Sequence, residues 1–195
     1  MSGRIVVLIS GSGTNMEALV DACHKGTVPG DVAAVVADCE CLGLTLAKRR
    51  GIATAMIEPK NFDDREDWSA VLADRVASFR PDLVVSAEFM RVLSAPFVDA
   101  FEDRLINLHP SLLPAFPGAH AIRDALQAGV AETGTTVHFI DHEVDHGPII
   151  LQARVPIEAD DDEAALHERI KEAEHKLLPE ACTRFLRGEI KRDLG

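Results

Sequence analysis

Asn107 and His109 lie close together in Ile106-Asn107-Leu108-His109-Pro110-Ser111-Leu112-Leu113-Pro114, and Asp145 follows downstream in Asp145-His146-Gly147-Pro148. If the fold joins these segments, an amide donor, an imidazole and a carboxylate meet, a set that can carry acyl transfer without a protein nucleophile by stabilising a tetrahedral species directly. On a strand running from Leu105, Asn107 and His109 project from one face. The prolines then force the chain out of the sheet. Single Asn, His and Asp residues are usually structural. What favours chemistry is their grouping at strand ends beside proline-rigid loops, where open α/β sheets keep their active sites; spacing alone leaves both readings open.

The elements that must position these residues are legible in the hydrophobic pattern. Ile5 to Ile9 is a continuous, largely β-branched run, followed by Ser10-Gly11-Ser12-Gly13-Thr14-Asn15 and a helical pattern through Met16, Leu19, Val20 and Cys23. Strand, glycine turn and helix open a βαβ unit. Val32 to Ala37 and Ala53 to Ile57 read as further strands around a helix from Leu42 to Arg50 that Gly51 stops. Asp63 or Asp64 can cap a helix through Trp68, Val71, Leu72, Val76 and Phe79, and Leu83 to Val85 follows as a fourth strand.

Arg104 to Leu108 predicts a fifth strand, Pro110 to Gly118 a rigid loop, and His120 to Ala128 a helix ending at Gly129. Gly134 to Ile140 and Pro148 to Val155 predict an antiparallel pair at the sheet edge, joined by the polar turn Asp141 to Gly147. Asp160 to Glu163 places negative charge at the start of a long helix from Ala164 to Arg187, which Pro179 should bend or split. The fold class is therefore α/β: a doubly wound, mostly parallel twisted sheet, Rossmann-like in its N-terminal half, with an antiparallel edge pair and a long C-terminal helix.

At 195 residues, one well-buried core and one domain are expected. The net charge of -12, from 32 acidic and 20 basic residues, argues against nucleic acid as a partner, although a local nest of backbone amides can still hold a small anion. Cys23, Cys39, Cys41 and Cys182 fit neither a zinc knuckle nor a redox C-x-x-C pair and read as reduced cytosolic thiols. The N-terminal apolar run is too short for a signal-peptide core or a membrane span. A cytoplasmic protein with no membrane partner is expected.

Gly11-Ser12-Gly13-Thr14-Asn15 has the glycines that let a backbone approach a phosphate ahead of a helix N-terminus. It lacks the third glycine of G-x-G-x-x-G and any P-loop lysine, so a tight turn capped by Asn15 remains the alternative. His138, His142 and His146 recur at intervals of four, but across strand-like sequence; they read as separate histidines, a zinc site being the minority view. No strained serine or cysteine elbow offers a covalent nucleophile.

Four segments carry a resemblance: Ser10-Gly11-Ser12-Gly13-Thr14-Asn15, Phe89-Met90-Arg91-Val92-Leu93, Asn107-Leu108-His109-Pro110-Ser111-Leu112-Leu113-Pro114, and Asp145-His146-Gly147-Pro148-Ile149-Ile150. Together, and in this order, they resemble the phosphoribosylglycinamide formyltransferases, folate-dependent enzymes of purine synthesis, over nearly the whole chain. The resemblance implies transfer of a formyl group from 10-formyltetrahydrofolate to the amine of glycinamide ribonucleotide, with Asn107, His109 and Asp145 catalytic and no metal required. It implies phosphate binding by Gly13, Thr14 and Asn15 and ribose binding by Glu174. The folate site would comprise Arg65, Met90, Arg91, Val92, Leu93, Asn107 and the Asp141 to Asp145 loop. Residues 1-195 would then form a single formyltransferase domain, 1-100 the phosphate-binding half and 101-195 the catalytic and folate-loop half, in a monomer or homodimer.

The sequence departs from that family at Glu88, where a small glycine usually precedes Phe-Met-Arg. The added bulk and charge is expected beside the folate pocket unless the side chain points outward. Ala115 also replaces a residue that is often basic. Methionyl-tRNA formyltransferase and formyltetrahydrofolate hydrolase share the Asn, His and Asp but carry further domains for which 195 residues, with a first strand beginning at residue 4, are expected to leave no room. A catalytically silent ligand-binding module is a further alternative, and predicts loss of a member of the polar triad.

Overall fold

A computed structural model of the protein describes residues 2–192. Seven strands form one sheet: β1 (Gly3–Ile9), β2 (Gly30–Ala37), β3 (Ala53–Met56), β4 (Leu83–Ala87), β5 (Leu105–His109), β6 (Glu132–Phe139) and β7 (Ile149–Pro156). Their order is β3-β2-β1-β4-β5-β6-β7. Strands β1 to β5 run parallel, whereas β6 and β7 are antiparallel to their neighbours. The chain winds outward from β1 in one direction and from β4 in the other, so a crevice opens between the carboxyl ends of these two strands.

Six helices cover the sheet: α1 (Thr14–His24), α2 (Leu42–Arg49), α3 (Arg65–Ser78), α4 (Ala95–Phe101), α5 (Ala121–Ala128) and α6 (Glu163–Leu186). Side-chain alternation along β1 divides the core. Ile5, Val7 and Ile9 pack with Met16, Leu19, Leu44, Leu178 and Cys182, from α1, α2 and α6. Val6 and Leu8 face Trp68, Leu72, Phe97 and Phe101, from α3 and α4. Burial on both faces explains why the parallel strands read as unbroken apolar runs.

Most predicted elements are present, with ends shifted by a residue or two. Asp64 caps α3, its side chain accepting from the Asp67 N–H at 2.9 Å, and Asp162 caps α6 through the Ala165 N–H at 2.8 Å. Helix α6 is not split at Pro179. It continues through the proline, whose ring is buried, and Thr183 Oγ donates to the Pro179 carbonyl at 2.8 Å. Helix α4 has no counterpart among the predicted elements: it is only seven residues long and begins at Ala95-Pro96, a short segment without a repeating stripe. At the sheet edge, β7 pairs with β6 on one side only, and Arg154 on β7 forms an ion pair with Glu132 on β6. Among the described residues, no helix is long and apolar enough to cross a membrane.

The turn after β1 is braced against α2. Gly13 has φ 75°, and a Cβ placed there would lie 2.6 Å from the Gly43 Cα, backbone that cannot move aside cheaply. The Gly43 N–H donates to the Gly11 carbonyl at 3.1 Å. Gly13→Ala is therefore expected to lose at least about 2 kcal/mol in urea denaturation, from left-handed strain plus displacement of α2; a loss below half of that would mean the two turns are not closely packed.

Candidate active site

Antiparallel pairing of β5 with β6 builds the cluster expected to be catalytic. The register sets Asn107 opposite His138 and His109 opposite Thr136. Leu105 faces the α3 and α4 side, so alternation carries Asn107 and His109 to that face. Asp145 folds back from the β6–β7 loop in a left-handed conformation, φ 55°, and reaches both residues. His109 Nδ1 lies 3.4 Å from Asp145 Oδ2, and Asn107 Nδ2 lies 3.5 Å from Asp145 Oδ1. The three residues expected to act together are brought together.

Protonation follows from the partners. His109 Nε2 is 2.9 Å from the Phe116 carbonyl, which can only accept, so Nε2 carries a hydrogen. Its other nitrogen faces the Asp145 carboxylate, so a doubly protonated ring has an acceptor for each proton. Burial alone would push the Asp145 carboxyl up; His138, the Gly118 N–H at 2.8 Å and His109 outweigh it and hold the group below the ordinary carboxylate value. Asp145 is therefore an anion at neutral pH.

His138 belongs to this cluster although the sequence reading left it among the unrelated histidines. Its Nδ1 faces the Phe139 carbonyl at 2.8 Å and so carries hydrogen, and its Nε2 lies 3.1 Å from Asn107 Nδ2 and 3.7 Å from Asp145 Oδ1. What puts His138 across from Asn107 is the register between β5 and β6, which local spacing does not signal. His142 pairs instead with Asp99, and His146 with Asp141. The three histidines share no site, and among the described residues no group of three or more His, Cys, Asp or Glu is placed to hold a metal.

A second cluster joins the β1–α1 turn to α6. Asn15 does not cap α1; Gly13 occupies the cap position, and no side chain binds the first N–H groups of the helix. Asn15 is instead buried and donates from Nδ2 to Glu174 Oε2 at 2.8 Å, while Thr135 Oγ donates to Glu174 Oε1 at 3.4 Å. Glu174 is only 3 % exposed. Burial pushes its carboxyl up to about 7 and the nearby Glu88 charge adds to this, against the hydrogen bonds from Asn15 and Thr135. Thr14 Oγ and Asn15 Oδ1 are buried without partners beside it. An open groove of about 630 Å³ between α1 and α6, lined by Lys25, His175 and Arg184, contains none of the expected site residues.

The segments expected to hold folate lie on exposed loops and helix ends. Met90 and Val92 are 62 % and 54 % exposed, between β4 and α4, and Val144, in the Asp141 to Asp145 loop, is 59 % exposed. Arg91 Nε donates to the buried Asp38 carboxylate at 2.5 Å, which ties its loop to the end of β2. Leu93 packs against the α3 and α4 core. Arg65 begins α3 and contacts Glu66, and Asp141 accepts from the Glu143 N–H at 2.9 Å. Glu88 neither points outward nor turns toward these segments: its Oε2 accepts from Ser12 Oγ at 3.3 Å, on the glycine turn.

The formyl transferase family profile matches residues 3–182. The chain belongs to the formyl transferase family. It is 44 % identical over 189 residues to phosphoribosylglycinamide formyltransferase of Escherichia coli (strain K12), covering 96 % of this chain and 89 % of that protein. It is 47 % identical over 188 residues to the trifunctional purine biosynthetic protein adenosine-3 of Drosophila melanogaster; this spans 95 % of the chain but 14 % of that much longer protein. The crystal structure of glycinamide ribonucleotide transformylase 1 from Symbiobacterium toebii superposes with a TM-score of 0.94 at 46 % identity, covering 96 % of this chain and 89 % of that one. These formyl transferases share its α/β architecture, antiparallel edge pair and long C-terminal helix.

The Glu174 titration gives a test of the buried cluster. Because its folded value lies above the ordinary 4.5, the stability it contributes is complete below that pH and is lost as the pH rises through about 7. The urea stability of the wild type relative to Glu174→Gln is expected to fall by up to ~3 kcal/mol between pH 4.5 and pH 8. A constant difference across that range would show that Glu174 titrates as an ordinary carboxyl.

Proposed function

We propose that this formyl transferase moves the formyl group of 10-formyltetrahydrofolate to the amine of glycinamide ribonucleotide, in purine biosynthesis, by direct attack and without a covalent enzyme adduct. The observation that carries the reading is the meeting of Asn107, His109 and Asp145 over β5, in a chain that covers most of the length of relatives bearing this activity by name. Attack of the amine on the formyl carbon leaves a tetrahedral oxyanion. The Asn107 N–H now held only loosely by Asp145 turns to that oxygen, and imidazolium at His109 adds a second donor as its Nε2–H leaves the Phe116 carbonyl. His109 gives up a proton as the folate amine leaves, a bound water relaying protons, and Asp145 keeps the ring oriented and its charge matched.

The rest of the site divides between the two substrates. The free N–H groups at the start of α1, with Gly13, Thr14 and Asn15, hold the phosphate, and Glu174 accepts from the ribose hydroxyls. The unpartnered Thr14 and Asn15 oxygens fit a ligand bringing its own donors and acceptors. Arg65, the Met90 to Leu93 segment, Asn107 and the Asp141 to Asp145 loop hold the folate, whose flat ring covers the exposed Met90, Val92 and Val144. In this reading residues 1-100 are the phosphate-binding half of a single domain and 101-195 its catalytic and folate-loop half. The partners are these two small molecules, in the cytoplasm, where the four free cysteines stay as thiols.

Purified protein given both substrates is expected to release tetrahydrofolate, followed by absorbance, only when the ribonucleotide is present. Equal release without it would replace this reading with that of a hydrolase. Asp145→Asn is expected to lower kcat about a hundredfold or more with an unchanged circular dichroism spectrum; near-normal turnover would remove Asp145 from the mechanism.

A further inference from the structure

Glu88 occupies the crevice between the carboxyl ends of β1 and β4 under unusual conditions. It follows the last residue of β4, and its carbonyl accepts from the Ser10 N–H at 3.0 Å, which fastens it to the end of β1. Its φ is 62°, a left-handed conformation that costs a residue with a side chain and that persists where the surroundings impose it. One carboxylate oxygen accepts from Ser12 Oγ at 3.3 Å, a long bond, and a Cβ on Gly11 would lie 3.9 Å from that oxygen. The other oxygen is buried with no partner. The acidic Glu174 lies near enough to feel its charge. An anion thus already rests on the glycine turn, incompletely satisfied and beside a second acid.

We propose that Glu88 is an internal competitor for the phosphate-binding turn: its carboxylate engages Ser12 and must be displaced before the phosphate of the substrate can take that hydroxyl. This rests on the phosphate reading of the Gly11 to Asn15 turn given above. Like charge within the crevice opposes the incoming phosphate, and the contact with Ser12 removes one donor from it. Glu88 therefore sets how tightly the nucleotide substrate is held, while the formyl-transfer cluster over β5 is left as it is.

Calorimetric titration of the full chain with inorganic phosphate tests the proposal without depending on catalysis. Glu88→Gln removes the charge and Glu88→Gly also removes the left-handed strain, so the second variant is expected to fold at least as well as the wild type. Both are expected to bind phosphate about tenfold more tightly than wild type. Ser12→Ala should weaken phosphate binding in the Glu88→Gln background and have little effect in the wild type, where the hydroxyl is already engaged. The KM for glycinamide ribonucleotide should fall in parallel, with the KM for 10-formyltetrahydrofolate unchanged. Phosphate affinity that is unchanged or weaker in both Glu88 variants, or an equal effect of Ser12→Ala in both backgrounds, overturns the competitor role alone. Absence of phosphate binding to wild type and variants alike overturns the phosphate reading as well.

Discussion

Burial of one carboxylate organises the Asn107, His109 and Asp145 cluster. Asp145 is largely removed from water, and an anion there is tolerable only because donors converge on it: the Gly118 N–H, His109 and, more distantly, Asn107. The carboxylate and its donors come from three places in the chain. Asn107 and His109 belong to β5, Gly118 closes the proline-rich loop, and Asp145 belongs to the loop before β7. Satisfying one charge thus pins two irregular segments to a rigid sheet. A shell built this way has little to reorganise when charge develops during reaction, which is what electrostatic stabilisation requires.

The turn between β1 and α1 rests on a different kind of anchor. Asn15 and Glu174 are 159 residues apart in the chain, yet a buried hydrogen bond joins the start of α1 to the middle of α6. The same contact that orients Glu174 therefore fixes the helix terminus whose N–H groups face the crevice. The end of β4 carries Glu88 toward Ser12 on the glycine turn and, immediately after it, the Met90 N–H to Ser10 Oγ at 2.9 Å. One short strand terminus thus fastens both to the segment after β1.

The sequence announced these arrangements unevenly. Parallel strands buried on both faces show themselves as apolar runs, and Asp64 and Asp162 mark their helix starts because a capping side chain has few other uses. Asn107 and His109 were legible as a pair because strand alternation puts them on one face. His138 was not, because its role depends on the register between β5 and β6, a long-range quantity that no local spacing encodes. Short helix α4 escaped for lack of a repeating stripe, and Pro179 does not split α6 because burial against the core supplies packing that offsets its missing hydrogen bond. Glu88 could be flagged as foreign to its position, but only the backbone conformation after β4 determines that it turns to Ser12 and away from the folate segments. The Asn15 side chain likewise serves α6, a partner invisible from its own neighbourhood.

Strand β7 has a bearing on the behaviour of the protein in a crowded solution. As an edge strand it offers one row of unpaired backbone groups to any other extended chain, the usual starting point for intermolecular sheet growth. Here Arg154 and its partner Glu132 place charge on the last pair of strands, and Pro156 ends the row with a residue that has no N–H to donate. A second copy approaching that margin would have to strip water from the ion pair and would meet a net charge of -12 like its own. The antiparallel pair that sets His138 across from Asn107 also closes the sheet against its own kind.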